Sequence, residues 1–134
     1  MSISNFRELE VWQVAMALAQ KVYEHSGGFP RDERYGLCAQ MQRAAVSIPS
    51  NIAEGNARRS TRDYARFISM AQGSCAELQT QLLLSGALGF GEEALRLDAL
   101  EQCERVGQML QRLHQSLVRR LESESRVPSP ESRS

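Results

Sequence analysis

Between Leu37 and Glu54 the chain carries two stripes at helical spacing, and no other stretch limits its fold so sharply. Leu37, Met41, Ala44, Ala45, Ile48 and Ile52 recur at steps of three and four, which gathers them on one face of a helix. Gln40, Arg43, Ser47, Asn51 and Glu54 keep the same period and form a polar stripe beside it. No period-two pattern competes. The apolar stripe suits a core. The polar stripe, edged by small residues that let backbones approach, suits either a neighbouring helix or subunit or plain solvated surface.

The same period organises the rest of the chain. Asn5 with Glu8 has the layout of a capping box, and Leu9, Trp12, Met16, Ala19 and Tyr23 then repeat at three and four, which predicts a first helix to about His25. Val11, Val14, Leu18 and Val22 form a second apolar row on it, wider than a lone bundle needs, and point to a subunit contact. Gly27-Gly28-Phe29-Pro30 stops this helix, and Asp32 and Glu33 supply negative charge for the first turn of the next, which reaches Glu54. Pro49 inside it lacks the N–H that would bond Ala45, so a bend is expected. Gly55 suits the left-handed position that ends a helix.

Ser60 with Asp63 signals a third helix, whose inner face is Tyr64, Phe67, Ile68, Ala71, Cys75, Leu78, Leu82 and Ser85, as far as Leu88. Gly89-Phe90-Gly91 is a stop, and Glu92 and Glu93 open a fourth helix. There Cys103, Val106, Leu110, Leu113 and Leu117 step by three and four, the seam of long, nearly parallel helices. Four long helices with short connections predict an all-α fold, an antiparallel up-down-up-down four-helix bundle over residues 1–121. From Glu122 on, Ser, Pro and charge dominate, so residues 122–134 are expected to be a disordered tail.

With 134 residues, 42% of them hydrophobic, the chain fills one core and not two. Sixteen basic and sixteen acidic residues cancel, so no global field draws it to nucleic acid or anionic membrane, and any such binding is local. Every basic residue but Lys21 is arginine, which suits bidentate contacts to carboxylate or phosphate and equally fits a genomic base bias. Cys38, Cys75 and Cys103 include no C-x-x-C pair and read as reduced core thiols. Residues 1–12 lack the layout of a secretory signal, and no stretch is apolar enough to span a bilayer, so a cytoplasmic protein is expected.

Chemistry-bearing residues are sparse. His25 and His114 are isolated from other ligands, so no metal is expected. Glu54 and Glu77 lack the Glu-x-x-His partners of a di-iron bundle. Gly86 to Gly91 lacks the Lys and Ser/Thr of a phosphate loop. These absences leave no catalytic residues, no cofactor and no small-molecule substrate to assign, and the expectation is a protein that is not an enzyme.

Two surface features remain. In the first, if the second and third helices pack side by side, Arg43 and Glu77 are expected to meet as a partly buried ion pair, with Gln40, Ser47, Asn51 and Ser74 satisfying the remaining donors and acceptors and Glu54 ending the stripe. The same residues would alternatively form a subunit contact. In the second, Arg58, Arg59, Arg62 and Arg66 against Asp63 leave a local charge of plus three at a helix start, where side chains and free N–H groups suit phosphate. Tyr64 is the only aromatic interleaved there before Phe67, so base stacking has little support. In a single chain these arginines equally suit a solvated helix start, and because residues 92–104 carry a net charge of minus four they would alternatively dock on another subunit.

Several ordered blocks carry a family resemblance. They are Phe6-x-x-Leu9-x-x-Trp12, then Phe29-Pro30-x-x-Glu33-x-x-Gly36-Leu37-x-x-Gln40-x-x-Arg43-Ala44, then Ser47-Ile48-x-x-Asn51-Ile52-Ala53-Glu54-Gly55. The match continues through Ser60, Tyr64, Phe67, Ala71, Gly73-Ser74 and Glu77 and fades along the last helix. The chain resembles the bacterial four-helix bundle family of proteins encoded in intervening sequences of large-subunit ribosomal RNA genes, to which the accessory variability protein of diversity-generating retroelements is related. The resemblance implies a ring of five with no established enzyme activity and, in the retroelement relative, binding of nucleic acid and reverse transcriptase. The expected function is therefore a homo-oligomeric, pentameric scaffold or adaptor with weak affinity for RNA or a nucleic-acid-processing protein. The alternatives are a purely structural interaction module and, more remotely, a small enzyme with a site inside the bundle.

Overall fold

The computed structural model describes residues 5–126. A 3-10 turn over Phe6–Glu8 precedes α1 (Glu10–Ser26), and a second over Arg31–Glu33 leads into α2 (Leu37–Asn56). Then come α3 (Thr61–Ala87) and α4 (Glu93–Arg126), with no strand among the described residues. Each helix packs on its neighbours in sequence and α4 closes on α1, while across the diagonal only side chains meet, as His25 of α1 does with Ser85 of α3. The cross-links run antiparallel: Glu10 pairs with Arg105 and Lys21 with Asp98 between α1 and α4, and Thr61 bonds Glu124 and Cys75 meets Cys103 between α3 and α4. This is the up-down-up-down bundle that short connections favour.

The core is the apolar stripes turned inward. Leu18, Met41, Ile48, Ile52, Ile68, Leu78, Leu82, Leu110 and Leu117 are fully buried, each contributing about 1.5–3 kcal/mol by leaving water. Helix α2 runs without interruption through the buried Pro49. Its start is anchored by Glu33, whose carboxylate accepts from the Leu37 N–H at 3.3 Å, so this acid caps α2 from the preceding 3-10 turn. Ser60 caps α3 by accepting from the Asp63 N–H at 3.0 Å.

Four expectations change. Asn5 caps the 3-10 turn through the Arg7 N–H, and the extended Leu9 separates that turn from α1. The two apolar rows of α1 exchange roles: Val11, Val14, Leu18 and Val22 are all buried, whereas Met16 and Tyr23 of the other row stand 36% and 49% exposed. A helix wedged between α2 and α4 needs a broad inner face, and the valine row fills it. Gly55 lies within α2 and has no positive φ. A Cβ there would come within 2.9 Å of Phe67 Cβ and 3.0 Å of Tyr64 Cδ1, so glycine is required by the close approach of α3. Finally, α4 continues past Leu121 to Arg126, so residues 122–126 are helical, with Glu124 accepting from Thr61. The rest of the expected tail, 127–134, lies outside the described residues.

Candidate functional site: an apolar groove and an arginine-bearing end

The outward row of α1 and the adjoining face of α2 enclose a groove of about 530 Å³, lined by Phe6, Trp12, Met16, Ala19, Gln20, Tyr23, Val46, Pro49, Ser50 and Ala53. Its end wall is the 3-10 turn, held by the Asn5 cap and by Gln13, whose amide donates to the Arg7 carbonyl at 2.8 Å. That turn sets Phe6 edge-on to Trp12, with ring centroids 5.2 Å apart. Val46 is 44% exposed, so with Met16 and Tyr23 the groove presents large apolar side chains to solvent. An adjoining depression is lined by Tyr23, Ala39, Gln42, Arg43, Val46, Ser47 and Ser50.

The polar stripe borders this face and is no buried network within the chain. Gln40, Arg43, Glu54 and Glu77 are exposed, and no ion pair joins Arg43 to Glu77 among the described residues. Ala44, Ile48 and Ile52 of the neighbouring stripe are among the residues of α2 that enter the core. The other members bond locally. Ser47 donates to the Ala44 carbonyl at 2.7 Å and Asn51 to the Ser47 carbonyl at 2.8 Å, while Glu77 accepts from Gln81 one turn on. Ser74 is half-buried on α3. Of the seven residues, the structure brings Arg43 and Ser47 to the margin of the groove region.

The arginines gather at the end of the bundle where α3 starts and α4 finishes. The Cζ atoms of Arg58 and Arg66 each lie 4.7 Å from the centroid of the Phe67 ring, in cation–π contact, and Arg66 also reaches Asp63 at 3.6 Å. Arg59 and Arg62 are exposed, with no ion pair or ring contact among the described residues. Arg119 and Arg120, exposed on the last turns of α4, approach the same end, which the Thr61–Glu124 bond closes. The two were not singled out in the sequence because only the antiparallel return of α4 brings them there. The acidic segment 92–104 begins at the opposite end, where Asp98 pairs with Lys21 and Glu93 with Arg96.

At that opposite end the sequence places Ser85 on the inner face of α3 and His25 at the end of α1, but does not show that the two meet. His25 is fully buried, its Nε2 3.0 Å from Ser85 Oγ and its ring edge-on to Phe29 with centroids 4.9 Å apart. Ser85 donates to the Leu82 carbonyl, so its oxygen is free to accept from Nε2–H. Nδ1 has no partner among the described residues. Burial, and secondarily the charge of Arg96, hold this imidazole below its ordinary pKa of 6.5. The only signal in the sequence is position: His25 falls one turn after Val22 on the inward row of α1. No group of three or more potential metal ligands occurs among the described residues, and His114 borders a shallow depression with Gln115, Val118, Arg119 and Glu122.

The structure defines the class as an all-α four-helix bundle, with an open apolar groove on one pair of helices and arginines gathered at one end. The chain belongs to the 23S rRNA-intervening sequence protein family, whose model matches residues 7–112 and so takes in α1, α2, α3 and much of α4. No curated protein matches the chain. No described helix is long and apolar enough to cross a membrane.

Proposed function

We propose that this protein is a self-associating helical scaffold or adaptor without catalytic activity, working in the cytoplasm, and that its copies assemble through the groove between α1 and α2. The observation that supports this is the outward row of α1. Trp12, Met16 and Tyr23 with Val46 form a contiguous apolar face that the single chain does not cover, and faces of this kind mark interaction sites. Arg43 and Ser47 at its edge match the polar rim of a protein interface. The ring of five that the family resemblance implies is a closed heterologous assembly, in which each groove receives a different face of the next copy. The decisive measurement is the mass in solution by light scattering at micromolar concentration and moderate salt. A multimer, with five copies as the expected number, supports the reading, and a monomer overturns it.

A second element of the reading is RNA. The anchoring of Arg58 and Arg66 on Phe67 favours it, because pre-positioned guanidinium groups lose less freedom on meeting phosphate. A ring repeats this end on one rim, and the partner is then RNA or a nucleic-acid-processing protein. Because the acidic segment begins at the far end of the bundle, pairing arginines with acids would stack rings end to end.

A further inference from the structure

Cys75 of α3 and Cys103 of α4 are 28 positions apart in sequence, yet their sulfurs lie 3.5 Å from each other. Each sulfur also approaches the other residue's carbonyl, Cys75 Sγ at 3.3 Å and Cys103 Sγ at 3.5 Å, so the thiols are interleaved between the two backbones. Both are free thiols, 6% and 1% exposed.

The two differ in access. Cys75 lines a surface depression of about 290 Å³ with Gln72, Ala76, Gln79, Gly107 and Gln111, whereas Cys103 does not line it. Gly107, one turn beyond Cys103, keeps the approach open, since a Cβ there would sit 3.7 Å from the Cys75 sulfur. Their acidities differ in the same direction. A hydrogen bond from Cys103 lowers the Cys75 pKa, while sharing that proton and burial push Cys103 far up. The reachable sulfur is thus the one an oxidant meets first, with a second thiol directly behind it.

We propose that Cys75 and Cys103 are a reversible oxidation site, at which a hydroperoxide converts the thiol pair into a disulfide that staples α3 to α4. Cys75 sulfur attacks the terminal peroxide oxygen, the O–O bond breaks and an alcohol, or water from hydrogen peroxide, leaves with one thiol proton. Cys75 is then a sulfenic acid. Cys103 sulfur attacks Cys75 sulfur, the S–O bond breaks, and the hydroxyl leaves as water with the second thiol proton. Two thiols lose two electrons in all and the peroxide gains them. Closure to a bond of about 2.05 Å requires the sulfurs to approach by about 1.5 Å, within reach of small side-chain rotations across a packed helix pair. A dithiol reductant restores the pair by exchange.

The test uses the full chain, reduced, freed of reductant and exposed to hydrogen peroxide near stoichiometry, then unfolded and alkylated. Expected are a fall from three alkylatable thiols to one, located at Cys38, and a Cys75–Cys103 linked peptide that a dithiol reverses. Cys103→Ser should trap the intermediate, so that a sulfenic-acid reagent such as dimedone labels Cys75. Cys75→Ser should prevent the link and slow oxidation at Cys103. Circular dichroism confirms that each variant is folded, and the wild-type thiol count does not depend on them. Three free thiols after treatment, loss of thiols only as Cys38-linked dimers, or a link that forms only in denaturant would each overturn the proposal.

Discussion

Gly55 of α2 faces Phe67 of α3 so closely that a methyl group on it would approach the Phe67 Cβ to 2.9 Å and the Tyr64 carbonyl to 3.3 Å. The ring of Phe67 in turn carries the guanidinium groups of Arg58 and Arg66. One backbone contact therefore sets both the crossing of two helices and the position of the arginines. Gly55→Ala should cost about 1–3 kcal/mol by overpacking, offset by up to about 1 kcal/mol from the better helix propensity of alanine. Urea unfolding of wild type and variant reads the difference. A variant as stable as wild type would show that α3 shifts freely at this crossing.

The His25 imidazole gives the protein an acid-sensitive end. Its pKa in the folded state is lowered, by burial and then by Arg96, so below about pH 6.5 the unfolded chain takes up a proton that the folded chain refuses. Stability from this residue is fully present above that pH. It is lost as pH falls through the window between 6.5 and the lower folded value. His25→Gln removes the titration, so its unfolding midpoint should vary less with pH across that window than that of wild type, although it starts lower. Parallel slopes for the two proteins would exclude His25 as the source.

Arg43 and Glu77 behave differently, being exposed side chains without a mutual bond. Arg43→Ala and Glu77→Ala should each change stability by less than about 0.5 kcal/mol and show no coupling in a double-mutant cycle. A coupling above about 1 kcal/mol would require a pair formed in the assembled protein. Following the mass during the same titrations separates that case from a change within the subunit.

The helices were legible because their inner faces are nearly pure period. The Leu37 to Ile52 stripe is buried as its spacing predicts, and so is the Cys103 to Leu117 row except for the half-buried Leu113. The boundary between core and groove on α1 was not, because both rows are apolar and amphipathic reasoning needs a polar side for contrast. Gly55 was misread for a related reason: a glycine near a helix end signals a left-handed cap unless the approaching helix is known. The same holds for the site. Clustering of Arg58, Arg59, Arg62 and Arg66 was visible because they are close in sequence, whereas the role of Phe67 as their platform and the Cys75–Cys103 contact arise only when helices pair.

The groove gives a prediction in which assembly and folding part company. Met16 and Val46 line the groove and are 36% and 44% exposed, so glutamate at either position should cost a monomer little. In an interface it would bury an unpaired charge, so Met16→Glu with Val46→Glu should dissociate the multimer while the helical circular dichroism signal persists. A fully assembled double variant would move the interface to another face of the bundle.

The arginines make the last prediction. Neutral net charge gives a single copy little attraction for RNA, so measurable affinity depends on repeating Arg58, Arg59, Arg62 and Arg66 around an assembly. Counterion release then makes log affinity fall linearly with log salt, by about 0.7 per phosphate neutralised on a single strand. Arg58→Ala with Arg59→Ala removes one anchored and one unanchored guanidinium from every copy, and both the affinity and the steepness of the salt dependence should drop. Arg58 is held on the Phe67 ring and Arg59 is not, so Arg58→Ala alone should weaken binding more than Arg59→Ala. Preference among RNA sequences should stay small, because nothing at this end is laid out to read base edges. The measurement is a titration of single-stranded RNA at several salt concentrations, with the mass of each protein checked alongside. A wild-type multimer that ignores RNA even at low salt would leave the arginines as subunit contacts or solvated surface, and the scaffold would then be one that works on proteins alone.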